Sequence, residues 1–376
     1  MSRVELELER VAHGGWVVGR HEGKVVFVSG GLPGERVLAE VTSSSRRFDR
    51  ARVVGVLRAS ADRVPEPCPI AGSCGGCDWQ HVLPEAQTRL KSAVVAEQLS
   101  RLAGIDWEGE VQAVGGAEGS RSRMRYAINA DGNPGLRGRR SHEVIPLPAA
   151  GCLVAAAGPT VPELRRFGDG VREVEVVNAD GVVSVLADGK VVRGPAVVDQ
   201  RVGSHRFRVA ASGFWQVHPR AAEILSAAVL DGLAPVGGEV ALDLYCGVGL
   251  FAAGLVDAGC RVTGVEAHRE SVAMARRNVE GARFIASPVE RALSALPDAC
   301  DLVVLDPPRR GAGADVVAGI ARMAPRAIAY VACDPAALAR DLASFSSLGY
   351  QPALIRAWDL FPMTAHVECV AILQRS

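Results

Sequence analysis

From Glu239 onward the chain alternates short apolar runs with helical segments, and no other feature limits its fold so strongly. The runs VALDLY, RVTGVE, LVVLD and AIAYVAC read as strands, and SVAMARRNVEG and PAALARDLASFSSLG as helices. Such alternation buries both faces of its strands only as a parallel sheet flanked by helices, which predicts an α/β, Rossmann-like doubly wound domain. Sheets of this kind hold ligands beyond the C-terminal ends of their strands. The domain is expected to span residues 206–376, and the residues to watch are those where its strands stop.

The first strand stops at Asp243 in ALDLYCGVGLFA, where Gly247 and Gly249 let the backbone approach a ligand closely. Glu266 ends the next strand, placed to accept hydrogen bonds from ribose hydroxyls. Dinucleotide sites share these features, but Ala252 stands where their last glycine falls, which favours S-adenosylmethionine. A further strand ends in Asp306-Pro307-Pro308, a carboxylate on a rigid turn. Cys333 closes AIAYVAC, and Asp334-Pro335 then opens a helix whose N-terminus favours a thiolate. Glu368 is a carboxylate in an otherwise apolar strand. A thiolate and a general base are what methylation of uracil C5 requires. Addition of sulfur at C6 makes C5 nucleophilic, and a base must afterwards take the C5 proton.

Residues 1–60 read as all-β, with short runs at Val4–Leu8, Val25–Val28, Arg36–Val41 and Ala51–Leu57 separated by glycine-rich turns. A small oligonucleotide-binding type of barrel is expected, and Arg46, Arg47, Arg50 and Arg52 suit a phosphate backbone. Residues 61–205 form a small α+β middle domain, including a helix over 84–105 that can pack on the catalytic domain. It also contains a segment from Arg121 to Arg140 with six arginines. Cys68, Cys74 and Cys77, with the distant Cys152, form a candidate four-cysteine metal site. Zinc generally takes two C-x-x-C pairs, so the single pair here favours an iron–sulfur cluster while leaving zinc open.

These motifs resemble the RNA uracil-C5 methyltransferase family. The similarity lies in SGFWQVHP (212–219), LDLYCGVGLFA (242–252), GVEAH (264–268), DPPRRG (306–311), YVACDPAALARDL (330–342) and FPMTAHVECV (361–370). The resemblance implies Cys333 as nucleophile, Glu368 as base, and cofactor contacts from Gln216, Tyr245, Glu266 and Asp306, with a looser match at Ser287. It also implies a [4Fe-4S] cluster on Cys68, Cys74, Cys77 and Cys152, and a TRAM domain for the first 60 residues. Barrel and cluster together point to the 23S ribosomal RNA branch, with transfer RNA as the other substrate. Three positions depart from the family pattern: Leu250 and His218 where asparagine is common, and Asp334 in place of the asparagine of Cys-Asn-Pro. An ionised Asp334 disfavours a neighbouring thiolate unless it points away or caps the helix.

With 42 basic and 42 acidic residues, the whole-chain charge does not advertise nucleic acid, so an RNA surface must come from local clustering. The N-terminal stretch is too charged for a signal peptide, and no apolar run is long enough to span a membrane. A cytoplasmic location is expected, with no membrane and no protein partner implied. Two other readings are an iron–sulfur redox enzyme with a nucleotide cofactor and an inactive RNA-binding relative.

Overall fold

A computed structural model describes residues 2–375; Met1 and Ser376, the outer ends of the expected first and last domains, lie outside it. The chain starts with β1 (Arg3–Ala12), β2 (Trp16–His21), β3 (Lys24–Ser29), β4 (Arg36–Ser44) and β5 (Phe48–Arg58). They close a barrel in the order β1-β2-β3-β5-β4. Its interior holds Leu6, Leu8, Val17, Val26, Val28, Val37, Ala39 and Ala51, the inward set of a period-two pattern. β2 is absent from the expected strands; two glycines at φ near +80°, Gly14 and Gly15, turn the chain directly into it.

The cysteine-bearing loop follows, and then α1 (Pro84–Ala103), started by proline in its first turn and stopped by Gly104 at φ 65°. After β6 (Val111–Ala113) come β7 (Arg123–Ile128), β8 (Pro134–Arg137), β9 (Val144–Pro146), α2 (Val161–Phe167), β10 (Glu173–Ala179), β11 (Val182–Ala187) and β12 (Lys190–Arg193). The last six strands form one sheet, β12-β11-β10-β7-β8-β9. A hairpin of β13 (Val197–Val202) and β14 (His205–Ala210) crosses the boundary expected at 205.

The remainder is α3 (Ala221–Leu233), β15 (Val240–Leu244), α4 (Leu250–Asp257), β16 (Arg261–Glu266), α5 (Arg269–Asn278), β17 (Arg283–Ala286), α6 (Val289–Ala292), β18 (Leu302–Leu305), α7 (Ala314–Arg322), β19 (Ala327–Ala332), α8 (Pro335–Ser346), β20 (Tyr350–Asp359) and β21 (Glu368–Arg375). The sheet order is β17-β16-β15-β18-β19-β21-β20-β6, with β21 antiparallel to both neighbours. The order reverses between β15 and β18, which opens a crevice at their C-terminal ends. Two apolar layers, one on each face, bury Leu242, Val303 and Tyr330 on one side and Ala241, Val304 and Val331 on the other.

The middle region is therefore not one contiguous unit. β6 pairs in parallel with β20 as the edge strand of the catalytic sheet, and α1 packs along α8. Lys91 of α1, fully buried, pairs with Asp359 at the end of β20 and donates to the Phe361 carbonyl at 3.1 Å. Among the described residues no helix is long and apolar enough to cross a membrane.

Removing one member of a buried ion pair strands the other. Lys91→Ala is expected to cost about 3–5 kcal/mol in chemical denaturation, and Lys91→Met with Asp359→Leu to recover most of it. Equal stability of the single variant and the wild type would show that Asp359 finds water instead.

Candidate active site

β15 delivers Asp243 to the base of the glycine turn, where its carboxylate is fully buried. One oxygen accepts the Ala252 amide at 2.9 Å and the other has no partner among the described residues. Burial pushes this carboxyl up to about 8 against the pull of that amide, with Asp306 and Glu266 adding repulsion. The turn runs through Tyr245 at φ 62°, Gly247 at 53° and Gly249 at 92°. A Cβ at Gly249 would meet Val279 at 2.9 Å, so the space as well as the backbone demands glycine there. Glu266 grips the turn, accepting from the Gly247 amide at 3.2 Å and the His268 amide at 2.7 Å. Asn278 of α5 donates to the Val248 carbonyl at 3.0 Å.

The expected catalytic residues meet through register. Ala332 of β19 lies opposite Cys369 of β21, so the next pair along the ladder is Cys333 and Glu368. Asp306 follows β18, the other neighbour of β19. Glu368 is 4% exposed, and its carboxyl is held well above the usual range by burial and by Asp306, with Arg309 opposing. Burial likewise lifts Asp306 to about 7. The Cys333 thiol is pushed up to about 11 by burial, Glu368 and Asp306, against Arg309. One thiol and two carboxyls therefore share a single electrostatic cluster.

Asp334, the departure beside the expected nucleophile, is the N-cap of α8 and accepts the Ala337 amide at 2.8 Å. Its other oxygen lies 2.9 Å from Nε2 of His13, in the turn between β1 and β2. Burial would raise this carboxyl, but His13 and the helix amides outweigh it and hold it below its usual value. The negative charge is thus fixed on the helix end and on the barrel.

Sequence reasoning missed the residues that hold the site's loops. Asp341 of α8 accepts from the Tyr330 hydroxyl at 2.6 Å and from the Ala312 amide at 2.7 Å, both buried, which ties down the loop after Asp306. The loop before Glu368 is held from the middle region: the Asp78 and Trp79 amides donate to the Met363 carbonyl at 2.8 and 3.0 Å. The Met363 amide donates to Gln87 at 2.8 Å. Gln216 lies half-buried in the loop before α3, anchored by Ser122 donating to the Val217 carbonyl at 2.8 Å. Among the described residues, no direct hydrogen bond joins Gln216 to the glycine turn. Tyr245 is half-buried, its phenol raised to about 12 by burial and Glu290, with Arg310 opposing. Ser287 donates its amide to the Glu266 carbonyl at 2.9 Å, and Leu250 begins α4.

Cys68, Cys74, Cys77 and Cys152 are free thiols lining one small cavity. The Gly76 amide points at the Cys74 sulfur at 3.4 Å, and Arg121 donates to the Gly76 carbonyl at 2.7 Å. Burial raises the thiols of Cys74, Cys77 and Cys152, while backbone amides, Gln80 and Arg121 pull them back. Among the described residues no group of three or more such ligands closes to the spacing of a single metal ion.

This architecture is a doubly wound methyltransferase domain behind a small β-barrel. Residues 2–54 match the TRAM domain, 222–332 the methyltransferase small domain, and 293–376 the tRNA (Uracil-5-)-methyltransferase family. A Streptomyces avermitilis protein named as an uncharacterized RNA methyltransferase is 46% identical, covering 98% of each chain. A similarly named protein of Corynebacterium glutamicum is 35% identical over 99% of this chain and 97% of its own. The Pyrococcus abyssi tRNA (uracil-54, C5)-methyltransferase, solved with S-adenosyl-L-homocysteine, shares the fold. Its TM-score is 0.77 at 24% identity, over 98% of this chain and 99% of that one. The chain belongs to the RNA methyltransferases, and its C-terminal segment carries the match to the uracil-5 methyltransferase family.

Asp341→Ala leaves the Ala312 amide and the Tyr330 hydroxyl buried without their acceptor. It is expected to cost about 2–4 kcal/mol in urea unfolding and to lower methyl transfer by about tenfold or more by loosening Asp306. Full activity in a stable variant would show that the loop holds its shape unaided.

Proposed function

We propose that this chain methylates C5 of a uridine in large-subunit ribosomal RNA through a covalent bond between Cys333 and C6. The observation that carries the reading is the convergence of Cys333, Glu368 and Asp306 in one buried cluster at adjacent strand ends. The barrel and the four-cysteine cavity support a ribosomal substrate. A transfer-RNA uridine is the second reading, favoured by the family name matched over residues 293–376.

The glycine turn, Glu266 and Gln216 receive S-adenosylmethionine, which supplies an electrophilic methyl group. The target uridine is taken out of its stack to reach buried groups. Cys333 gives its proton to water and its sulfur adds to C6, placing electron density on C5. C5 forms the bond to the methyl carbon as that carbon's bond to the sulfonium sulfur breaks, the electron pair staying on the sulfur, which leaves as a neutral thioether. The Glu368 carboxylate then takes the C5 proton, the C5–C6 double bond reforms, and the sulfur–C6 bond breaks to return Cys333 as thiolate. Asp306 keeps the carboxyl of Glu368 avid for that proton by raising its proton affinity. Asp334, capped and paired, does not move protons in this scheme.

Cys68, Cys74, Cys77 and Cys152 would hold a [4Fe-4S] cluster. What supports this reading is the chemistry of the donor set: four free thiols line one cavity, with an amide directed at one sulfur. When bound, the cluster would cross-link the loop at 68–77 to Cys152.

The test is trapping with 5-fluorouridine-substituted RNA and S-adenosylmethionine. Fluorine at C5 cannot leave as a proton, so an adduct through Cys333 is expected, stable on a denaturing gel. Ribosomal RNA should form it; formation with transfer RNA alone would move the substrate. Absence with both would remove the covalent scheme. Cys333→Ala should form no adduct, and Glu368→Gln should accumulate one with ordinary RNA.

A thiol raised to about 11 is almost wholly protonated at neutral pH. Alkylation of Cys333 by iodoacetamide in the RNA-free enzyme should therefore be slow at pH 7 and climb about tenfold per pH unit until the pH nears the thiol's own value. Peptide mass spectrometry reads this at the one cysteine. Rapid labelling with a flat pH profile would mean the thiolate is already formed at rest.

A further inference from the structure

The outer face of the barrel carries a row of aromatic rings that its core does not use. Trp16, Phe27 and Phe48 are all half-buried and stand outside the set that fills the barrel interior. Trp16 meets Phe27 edge-on at 6.5 Å between centroids, and Phe27 meets Phe48 at 5.4 Å. Two arginines lie over the row. Arg140, from the loop between β8 and β9, sits 3.7 Å from the Trp16 ring centroid, and Arg50 sits 5.7 Å from Trp16 and 5.3 Å from Phe48. Neither is in an ion pair among the described residues, and the same holds for Arg46 and Arg47 in the adjoining turn between β4 and β5.

Trp16 and Arg140 also line a groove of about 810 Å³ between the barrel and the cysteine loop. The groove contains Arg52 and Arg139 as well as the acids Glu66, Asp78 and Glu143. Arg139 pairs with Asp78 at 3.2 Å, and Arg52 pairs with Glu40 at 2.7 Å. Of the arginines lining the groove, Arg140 is thus the one left without an ion pair among the described residues, and it lies over the aromatic row. The loop carrying Arg140 is fixed to the cysteine loop, with the Gly75 amide donating to the Arg137 carbonyl at 2.9 Å and the Arg139 amide to the Ser73 carbonyl at 3.1 Å. Trp16 is also close to the chemistry: His13, three residues earlier, touches Asp334 beside Cys333. Three residues of chain reach about 10 Å at most, roughly the length of two nucleotides.

We infer that Trp16, Phe27 and Phe48, clamped by Arg50 and Arg140, form a stacking platform for unpaired bases of the RNA strand that flanks the target uridine. Aromatic faces give sequence-tolerant stacking to single-stranded nucleic acid, and arginines above them serve both base and phosphate. A guanidinium resting on a half-buried indole holds the place that a base would take or share. The inference rests on RNA being the substrate, and it adds where the strand lies and that it is single-stranded there.

The test is equilibrium binding of a uridine-containing 12-nucleotide RNA to the full chain, single-stranded and as a duplex, across salt concentrations. Trp16→Ala should weaken single-strand binding about tenfold, and Trp16→Phe, which keeps a ring on Phe27, should recover most of it. Arg50→Ala with Arg140→Ala should flatten the slope of log affinity against log salt by about 1.4, two phosphates' worth. Trp16 fluorescence, read as the difference between wild type and Trp16→Phe, should be quenched by the single strand and not by the duplex. Wild-type affinity in Trp16→Ala with an unchanged salt slope in the arginine pair would overturn the platform. A drop in melting temperature for Arg140→Ala without loss of RNA affinity would also overturn it, reducing the contact to a latch between barrel and middle region. If the fluorouridine adduct never forms but these variants still weaken binding, the platform stands and the uridine chemistry falls. If the adduct forms and the variants bind normally, the reverse holds.

Discussion

Glu368, Asp306 and Cys333 are brought together in a place where none of them ionises easily, and much of the surrounding structure is explained by that. Two carboxyls and a thiol share a region deprived of water, with Asp306 raising the proton affinity of Glu368, both carboxyls raising that of Cys333, and Arg309 as the opposing charge. Such a cluster costs folding free energy and persists only if its supports are rigid. The supports are strands β18, β19 and β21, buried through most of their length, and the hydrogen bonds of Asp341 and Tyr330 behind the Asp306 loop. In the proposed scheme, the same proton affinity that makes the cluster costly is what draws a proton from carbon to the carboxylate, so stability and reactivity would draw on one arrangement.

The charge of Asp334 shows how a local conflict is settled at a distance. Next to a thiol proposed to ionise, a carboxylate is unwelcome. Here it is turned onto the first turn of α8 and onto His13, which belongs to the barrel and lies 321 positions away in sequence. The barrel thus helps set the electrostatics beside Cys333.

What could be read in the sequence was whatever is contiguous. The glycine turn, Asp306, Cys333 and Glu368 announce themselves because each sits at the end of an apolar run, and strand ends converge in a doubly wound sheet. The barrel strands were legible from alternation, except β2, whose flanking glycines made it look like part of a turn. The holding residues were not legible. Asp341 lies on a helix like any acidic residue, Asn278 reads as a helix end, and Asp78 and Gln87 act on a loop nearly 300 residues onward. Their roles arise from packing between distant elements, which leaves no periodic mark. β6 is three residues long, too short for any pattern, and only the exposed edge of β20 gives it a place.

That edge strand bears on how such a chain could be divided. β6 belongs to the catalytic sheet and α1 packs on its helix α8, yet both precede that domain by about a hundred residues, with cysteines of the proposed cluster on both sides: Cys68, Cys74 and Cys77 before them, Cys152 after. A gene fragment starting at 206 would encode a sheet with β20 bare, and an unpaired strand edge templates association with other chains. The parts are not interchangeable cassettes. Recombination between relatives preserves the fold only if residues 84–113 travel with the catalytic half, or if the whole chain is exchanged at once.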